Sequence, residues 1–271
     1  KAEDIFAMPD AWEYPYFCKW DLMFHAVALA DVDGAFAKHQ TTVLRGSQYT
    51  AASAQVPAYE WAFSDVDPPL GAWATWRVFE REQKQGTSPD HQFLLNSFHS
   101  LMIEYGWWAN RNSRDSDSLF DGGFLGLDNI SPFDRRYALP DGTKINQSDG
   151  TAWMARLALY MAKISAELAS KGLASNQIVS RFLNDFLELH EAINTDICHG
   201  YTCWDEHDNF YYDSLQYPNG DNELIRVRSV SGLIPLLAVQ SFNQEILKGV
   251  KIDAGFHHAE AQIHVQDGKI C

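Results

Sequence analysis

Three stretches of this chain repeat apolar residues at helical spacing, and that periodicity constrains its architecture more than any other feature. Leu94, Phe98, Leu101, Tyr105 and Trp108 fall at i, i+4, i+7, i+11 and i+14, one stripe of an amphipathic helix. Met154, Leu157, Met161, Ile164 and Leu168 repeat the pattern, and Ile178, Phe182, Phe186, Leu189 and Ile193 do so again. Each stripe stays on one face and must be buried against another element. Shorter helices are expected over 21–31, 34–45, 71–83 and 230–246, the last disturbed near its start by Pro235. The expected class is all-α.

Short and long connections alternate between these segments. "SKGLAS" (170–175) reads as a tight helix-to-helix link, with Gly172 suited to the C-cap. The stretches 47–70, 112–150 and 199–228 are long, and are rich in aromatic and acidic residues rather than Ser and Lys. Long loops inside a compact domain usually carry function. One of them holds an Asn219-Gly220 turn between strand-like runs, the mark of a β-hairpin. No linker or internal repeat interrupts the 271 residues, so a single domain, 1–271, is expected.

Composition removes several functions. The net charge of −15, without a dense run of Lys or Arg, is unsuited to nucleic acid or an anionic membrane. No apolar run approaches the roughly 20 residues of a membrane span. The four cysteines are irregularly spaced, and Cys198 with Cys203 lacks the second pair of a structural zinc site, so reduced thiols are expected. There is no P-loop, dinucleotide fingerprint or Gly-x-Ser-x-Gly elbow, and the histidines are scattered. No metal or cofactor is expected. The chain begins and ends as if cut from something longer. Cytoplasm is the expected compartment, with the endoplasmic reticulum lumen as the alternative if a signal has been lost. Oligomeric state is not legible.

Four clusters set Trp or Tyr beside Asp or Glu: "WEYPYFCKWD" (12–21), "PAYEWAFSDVDPP" (57–69), "GGFLGLDN" (122–129) and "CWDEHDNFYYD" (203–213). Aromatic planes beside carboxylates suit carbohydrate, because the C–H face of a sugar stacks on a ring while carboxylates bind its hydroxyls. Two further carboxyls can then serve as acid and base at a glycosidic bond. Each cluster also has a plainer account. Trp20 and Asp21 can be a core Trp and a helix N-cap. Glu60 can pair with a basic neighbour, and Asp65 and Asp67 can make a turn before Pro68-Pro69. "DEHDNFYYD" can be a solvated loop or a weak calcium site, though without the Gly and final Glu of an EF-hand.

Asp128 stands out. Gly122, Gly123 and Gly126 ahead of it permit positive φ or close backbone approach, and burial among Phe124, Leu125 and Leu127 would raise its pKa, as a general acid needs. An Asx turn or a helix N-cap before "NISPF" is the alternative. Asp121 and Asp134 fit turn or salt-bridge roles.

"EYPYFCKWDLMFHAVALADVDGAFAKHQ", "VPAYEWAFSDVDPPLGAWATWRVF", "GGFLGLDNISPFDR", "DGTAWMA", "WDEHDNFYYD" and "VRSVSGLIPLLAV" together resemble the bacterial-type branch of glycoside hydrolase family 63. That family includes processing α-glucosidase I and mannosylglycerate or glucosylglycerate hydrolases. The resemblance runs from about residue 8 to about 242, leaving 243–271 unmatched. It implies an (α/α)6 barrel of six helical hairpins, with long loops and a small β-hairpin at the site end, and an inverting α-glycosidase of oligosaccharides or small α-glucosides and α-mannosides. Asp128 maps onto the general acid, and Trp20 and Asp21 onto the sugar subsite. By looser analogy Tyr59, Glu60, Trp61, Asp149 and Trp153 face the pocket.

The family's general base is a glutamate beyond "GLIPLLAV", and only Glu245 and Glu260 follow, neither in a matching context. About seven helices are readable against the twelve of six hairpins. The expectation is an incomplete barrel that holds the acid without the base, with exposed apolar faces and little activity alone. The rival readings are a non-catalytic carbohydrate-binding helical domain and a sugar epimerase of the same architecture. The epimerase would need paired central histidines, which the clusters lack.

Overall fold

The computed structural model describes residues 4–59, 62–86, 88–110, 119–120, 123–127, 130–137, 139–194, 202–243, 247, 265–266 and 269–270. The chain divides into two compact units, Lys1–Trp107 and Trp108–Cys271.

The first unit is built on α1 (Lys19–Leu29), α2 (Gly34–Thr42), α3 (Gly71–Lys84) and α4 (His91–Ala109), of which the first three pack on one another. Asp33 caps α2 by accepting the Phe36 N–H at 2.9 Å, and a 3₁₀ turn at Val43–Arg45 carries the helical run to the expected residue 45. Leu22, Met23 and Ala26 turn the apolar side of α1 inward. Along α4 the stripe Leu94, Phe98, Leu101, Tyr105 is buried throughout, so the periodicity read from sequence is the packed face.

The second unit is centred on α5 (Ser148–Ser170), preceded by β1 (Lys144–Asn146) and followed by α6 (Asn176–Asn194). Met154, Leu157, Met161, Ile164 and Leu168 are all buried, and so are Ala152, Ala155, Ala158, Ala162 and Ala166 on other faces. α6 packs along α5. Phe182, Leu189 and Ile193 of the expected α6 stripe are buried, joined by Val179, Leu183 and Leu187. The link between the helices ends α5 as expected: Gly172 has φ +71°, and Leu173 N–H reaches back to the Leu168 carbonyl at 2.9 Å.

Short strands β2 (Trp204–Asp205) and β3 (Phe210–Tyr211) pair with each other. The expected hairpin is β4 (Asp213–Gln216) and β5 (Asn222–Ile225), antiparallel, with Gly220 at φ +90° in its turn. β1 adds a third strand to it, Ile145 opposite Leu215, which three residues were too few to announce as an alternation. Strands β6 (Phe242–Asn243), β7 (Val265–Gln266) and β8 (Lys269–Ile270) form a further small sheet in the order β6-β8-β7.

One expected helix needs correction. The segment 230–246 is a 3₁₀ helix over Val230–Leu237 that stops there, with β6 following. Pro235 lacks the N–H that an α-helical ladder needs, and Gly232 lies where any Cβ would overlap the Phe210 ring and the Tyr211 carbonyl oxygen. This helix packs on α5, yet Val227, Val230, Leu233, Leu236, Leu237 and Val239 remain largely exposed. Among the described residues no helix is long and apolar enough to cross a membrane.

Candidate active site

In the first unit, Trp20 and Asp21 lie in the opening turn of α1, with Asp21 the third residue of the helix rather than its N-cap. The N-cap residue is Cys18, whose side chain makes no capping bond. The turn is closed from outside instead. Asp67 Oδ2 accepts the Trp20 N–H at 3.2 Å and the Cys18 thiol at 3.6 Å. Asp67 is fully buried, and burial pushes its carboxyl up to about 7 against the opposing pull of the Trp20 amide and Lys19. Burial also raises the Cys18 thiol, and the neighbouring Asp67 and Asp21 carboxylates add to it, so Cys18 stays a proton donor.

Lys19 points the other way. Its Nζ lies 2.6 Å from Glu104 Oε1 on α4, both side chains buried. Burial pushes the Glu104 carboxyl up, but Lys19 and Arg45 together outweigh it and hold the group below the usual carboxylate range. The Lys19 backbone N–H also donates to the Ala58 carbonyl at 2.9 Å, tying α1 to the loop that carries Tyr59. That loop is closed on itself by Ala58 N–H to the Asp65 carbonyl at 2.9 Å and by the Tyr59 hydroxyl to Asp65 Oδ2 at 2.7 Å. Glu60 and Trp61 lie outside the described residues.

Aromatic rings line this part of the unit. The Trp20 ring meets Phe24 edge-on at 6.3 Å, Phe24 meets Trp73 of α3 at 5.0 Å, and Tyr16 lies 6.1 Å from Tyr59. Phe24 is half exposed although α1 has apolar positions to spare. The expected Trp20, Asp21 and Tyr59 thus share one region with Phe24 and Trp73, which the motif reading missed. Their signal was the excess of aromatic residues at helical spacing on the outer side of a short helix.

In the second unit, Asp128, Asn129, Asp121 and Gly122 lie outside the described residues, but the backbone just ahead of Asp128 is described. Gly123, Leu125 and Gly126 all have positive φ, +75°, +50° and +66°. A buried leucine in that region is strained, and such strain concentrates at functional sites. The glycine reading of this run is therefore right for Gly123 and Gly126, and it overlooked Leu125.

The start of α5 holds this stretch at three points. Thr151 Oγ1 accepts the Phe120 N–H at 3.0 Å, the Gln147 side chain exchanges two hydrogen bonds with Gly123, and Asp149 Oδ1 accepts from Arg135 at 2.5 Å. Asp149 and Arg135 are both completely buried. Burial raises the Asp149 carboxyl and Asp213 adds to it, while Arg135 opposes both. Asp213 in turn accepts from the Ser148 N–H at 2.8 Å and the Ser148 hydroxyl at 2.9 Å. Trp153, also expected at the pocket, lies a turn further along α5 and is buried, with the Arg156 guanidinium 6.0 Å from its ring centroid. Asp134 pairs with Arg136 at 2.8 Å, the surface role expected of it.

Asp205, His207 and Asp208 in the β2–β3 turn bring three potential metal-ligating atoms within 4.8 Å of one another. Their carboxylates are already engaged. Asp205 accepts from Arg226 at 2.8 Å and from the His207 and Asp208 amides, and Asp208 accepts from the Tyr212 hydroxyl at 2.7 Å. The cluster is an arginine-stapled turn.

The family model of the mannosylglycerate hydrolase MGH1-like glycoside hydrolase domain matches residues 14–251. The chain belongs to this MGH1-like glycoside hydrolase family. Every aromatic–carboxylate cluster read from the sequence lies within the match or overlaps it, and the match extends past the 242 at which the motif resemblance stopped. The uncharacterized protein YMR196W of Saccharomyces cerevisiae is 41% identical over 259 residues, which are 91% of this chain and 24% of that protein. The MGH1-like chain thus spans about a quarter of this curated relative.

Among solved structures, an uncharacterized conserved protein from Thermus thermophilus aligns with a TM-score of 0.66 at 17% identity, over 90% of this chain and 69% of that one. The GH63 mannosylglycerate hydrolase of the same organism, in complex with Tris and D-glycerate, gives 0.64 at 15% identity, over 90% and 71%. Its glucose complex gives 0.64 at 17% identity, over 90% and 70%. The relationship to glycoside hydrolase family 63 and its helical (α/α)6 class therefore stand. Six α-helices are present among the described residues.

Proposed function

We propose that the protein containing this chain is an inverting α-glycosidase acting on an α-linked glucose or mannose, with Asp128 as the general acid. The observation that carries this reading is the strained turn Gly123–Leu127, pinned by Gln147 directly ahead of Asp128 in a chain of the MGH1-like glycoside hydrolase family. Strain maintained by dedicated side-chain bonds points to a backbone whose conformation is needed.

In the proposed reaction Asp128 gives its proton to the glycosidic oxygen as the bond from that oxygen to C1 breaks. A second carboxylate takes a proton from a water that attacks C1 on the opposite face, so the released sugar has the inverted anomeric configuration. Inversion requires the two carboxyls about 6.5–9.5 Å apart. The base glutamate belongs, in this reading, to polypeptide beyond the family-like stretch, in keeping with the quarter of the yeast relative that this chain spans. Trp20, Asp21 and Tyr59, with Glu60 and Trp61 on the same loop, supply the sugar contacts. Asp149, buried at the start of α5, holds Arg135 of the segment that follows Asp128, and Trp153 is buried one turn further along the helix.

The test is hydrolysis of mannosylglycerate, glucosylglycerate and α-linked glucose oligosaccharides by the full-length protein, with the first-formed anomer read by proton NMR. Release of the β-anomer from an α-linked substrate supports the reading. Retention of configuration, or interconversion of free sugars without hydrolysis, contradicts it.

A further inference from the structure

The first turn of α1 is capped in an unusual way. A Ser, Thr, Asn or Asp at position 18 would close it locally at little cost. This chain has Cys18 there and takes its acceptor from Asp67, 47 residues beyond the Trp20 amide it binds. That carboxylate is completely buried, and its Oδ1 has no hydrogen-bond partner among the described residues. Burying a carboxylate with one oxygen unmatched is an expensive route to a helix cap. The arrangement delivers position as well as capping. Asp67 ends the loop that begins at Ala58, whose carbonyl takes the Lys19 N–H, so the loop grips both Lys19 and Trp20. The Cys18 thiol, donating to Asp67, lies beside Asp21 as well. The Trp20 amide and the Cys18 thiol just ahead of the Trp-Asp pair are thereby tied to one buried group.

We propose that Asp67 is a positioning residue: it fixes the first turn of α1 and, through it, the aim of the Trp20 ring and the Asp21 carboxylate at the sugar. This rests on the reading that Trp20 and Asp21 line the sugar subsite. Asp67 touches no substrate, and its effect is on binding rather than on bond cleavage.

The experiment compares the unmodified full-length protein with Asp67→Ala, Asp67→Leu and Asp67→Asn. It measures amide hydrogen exchange at Trp20, and kcat and KM on mannosylglycerate and an α-glucoside. Asn keeps an oxygen acceptor, whereas Leu fills the site without one and serves if the alanine variant does not fold. Exchange at Trp20 is expected to rise about fivefold to tenfold in Ala and Leu and to stay near wild type in Asn. KM is expected to rise about tenfold in Ala and Leu, with kcat within about twofold and Asn restoring KM. Faster exchange with unchanged KM, unchanged exchange, or failure of Asn to rescue would each overturn the proposal. Absence of turnover by the unmodified protein on every substrate removes the glycosidase reading instead, and the Trp20 exchange rates still decide whether Asp67 holds that turn.

Discussion

Gln147 grips Gly123 with both ends of its side-chain amide: the Gly123 N–H donates to Oε1 at 2.6 Å, and Nε2 donates to the Gly123 carbonyl at 3.1 Å. The Gln147 backbone N–H adds a bond to the Phe120 carbonyl at 3.0 Å. A helix that is mostly core thus spends its first turn holding a loop. Gln147→Ala is expected to lose about 1–2 kcal/mol, because the partly buried N–H and carbonyl of Gly123 lose their side-chain partner. The full-length protein should lose kcat more than its melting temperature suggests, as measured by kinetics alongside thermal unfolding.

Arg135 and Asp149 form a buried pair in which each neutralises the other. Arg135→Met strands the Asp149 carboxylate and should cost about 3–5 kcal/mol in denaturant unfolding. Combining it with Asp149→Leu should recover much of that loss, since a well-packed apolar pair is often as stable as a buried ion pair. A double variant no better than the single one would show that the pair is not the cause.

Asp67 links stability to pH. Its folded-state pKa, about 7, lies above the unfolded value because burial favours the neutral acid. Between about pH 4 and that value, the folded chain keeps a proton that the unfolded chain has released. The stability contribution is therefore complete at low pH and is lost as pH rises to about 7. Asp67→Asn, which cannot ionise, should gain on the wild type across that window and level off above it, by no more than about 4 kcal/mol. Urea unfolding of both chains from pH 4 to pH 8 measures the difference, and parallel curves would refute it.

Gly232 has no room for a side chain against Phe210 and the Tyr211 carbonyl. Gly232→Ala should destabilise the second unit by about 1–3 kcal/mol, read as an earlier denaturant midpoint.

The exposed aliphatic run from Val227 to Val239 should make the isolated chain self-associate. Leu233→Glu with Leu236→Glu is expected to lower the apparent mass in light scattering at high protein concentration. An unchanged mass would locate the sticky surface elsewhere.

The long helices were legible because each announces itself locally. Leu94 to Tyr105 and Met154 to Leu168 are regular apolar repeats, and both are packed faces. Asn219-Gly220 and Gly172 were legible for the same reason, since a tight turn is a property of two or three residues. The segment after Val230 misled because its apolar residues suit a helix while Pro235 and the crowding at Gly232 forbid the α-helical form. In the candidate site, the aromatic–carboxylate clusters name the residues expected to meet the sugar, but not the residues that hold them. Asp67 looked like a turn before Pro68, and Gln147 had no signal at all. Their partners, Trp20 and Gly123, are 47 and 24 residues away, and periodicity does not report pairings at that distance.

The most direct measurement is the response of Asp128→Asn to leaving-group acidity in the full-length protein. A general acid matters for a poor leaving group and hardly at all for fluoride, which departs without a proton. Hydrolysis of the natural-type α-glycoside should fall by about 10²–10⁴-fold in Asp128→Asn, while hydrolysis of the matching glycosyl fluoride stays within about tenfold of wild type. Equal loss on both substrates, or no loss on either, would contradict the assignment of Asp128 as the acid.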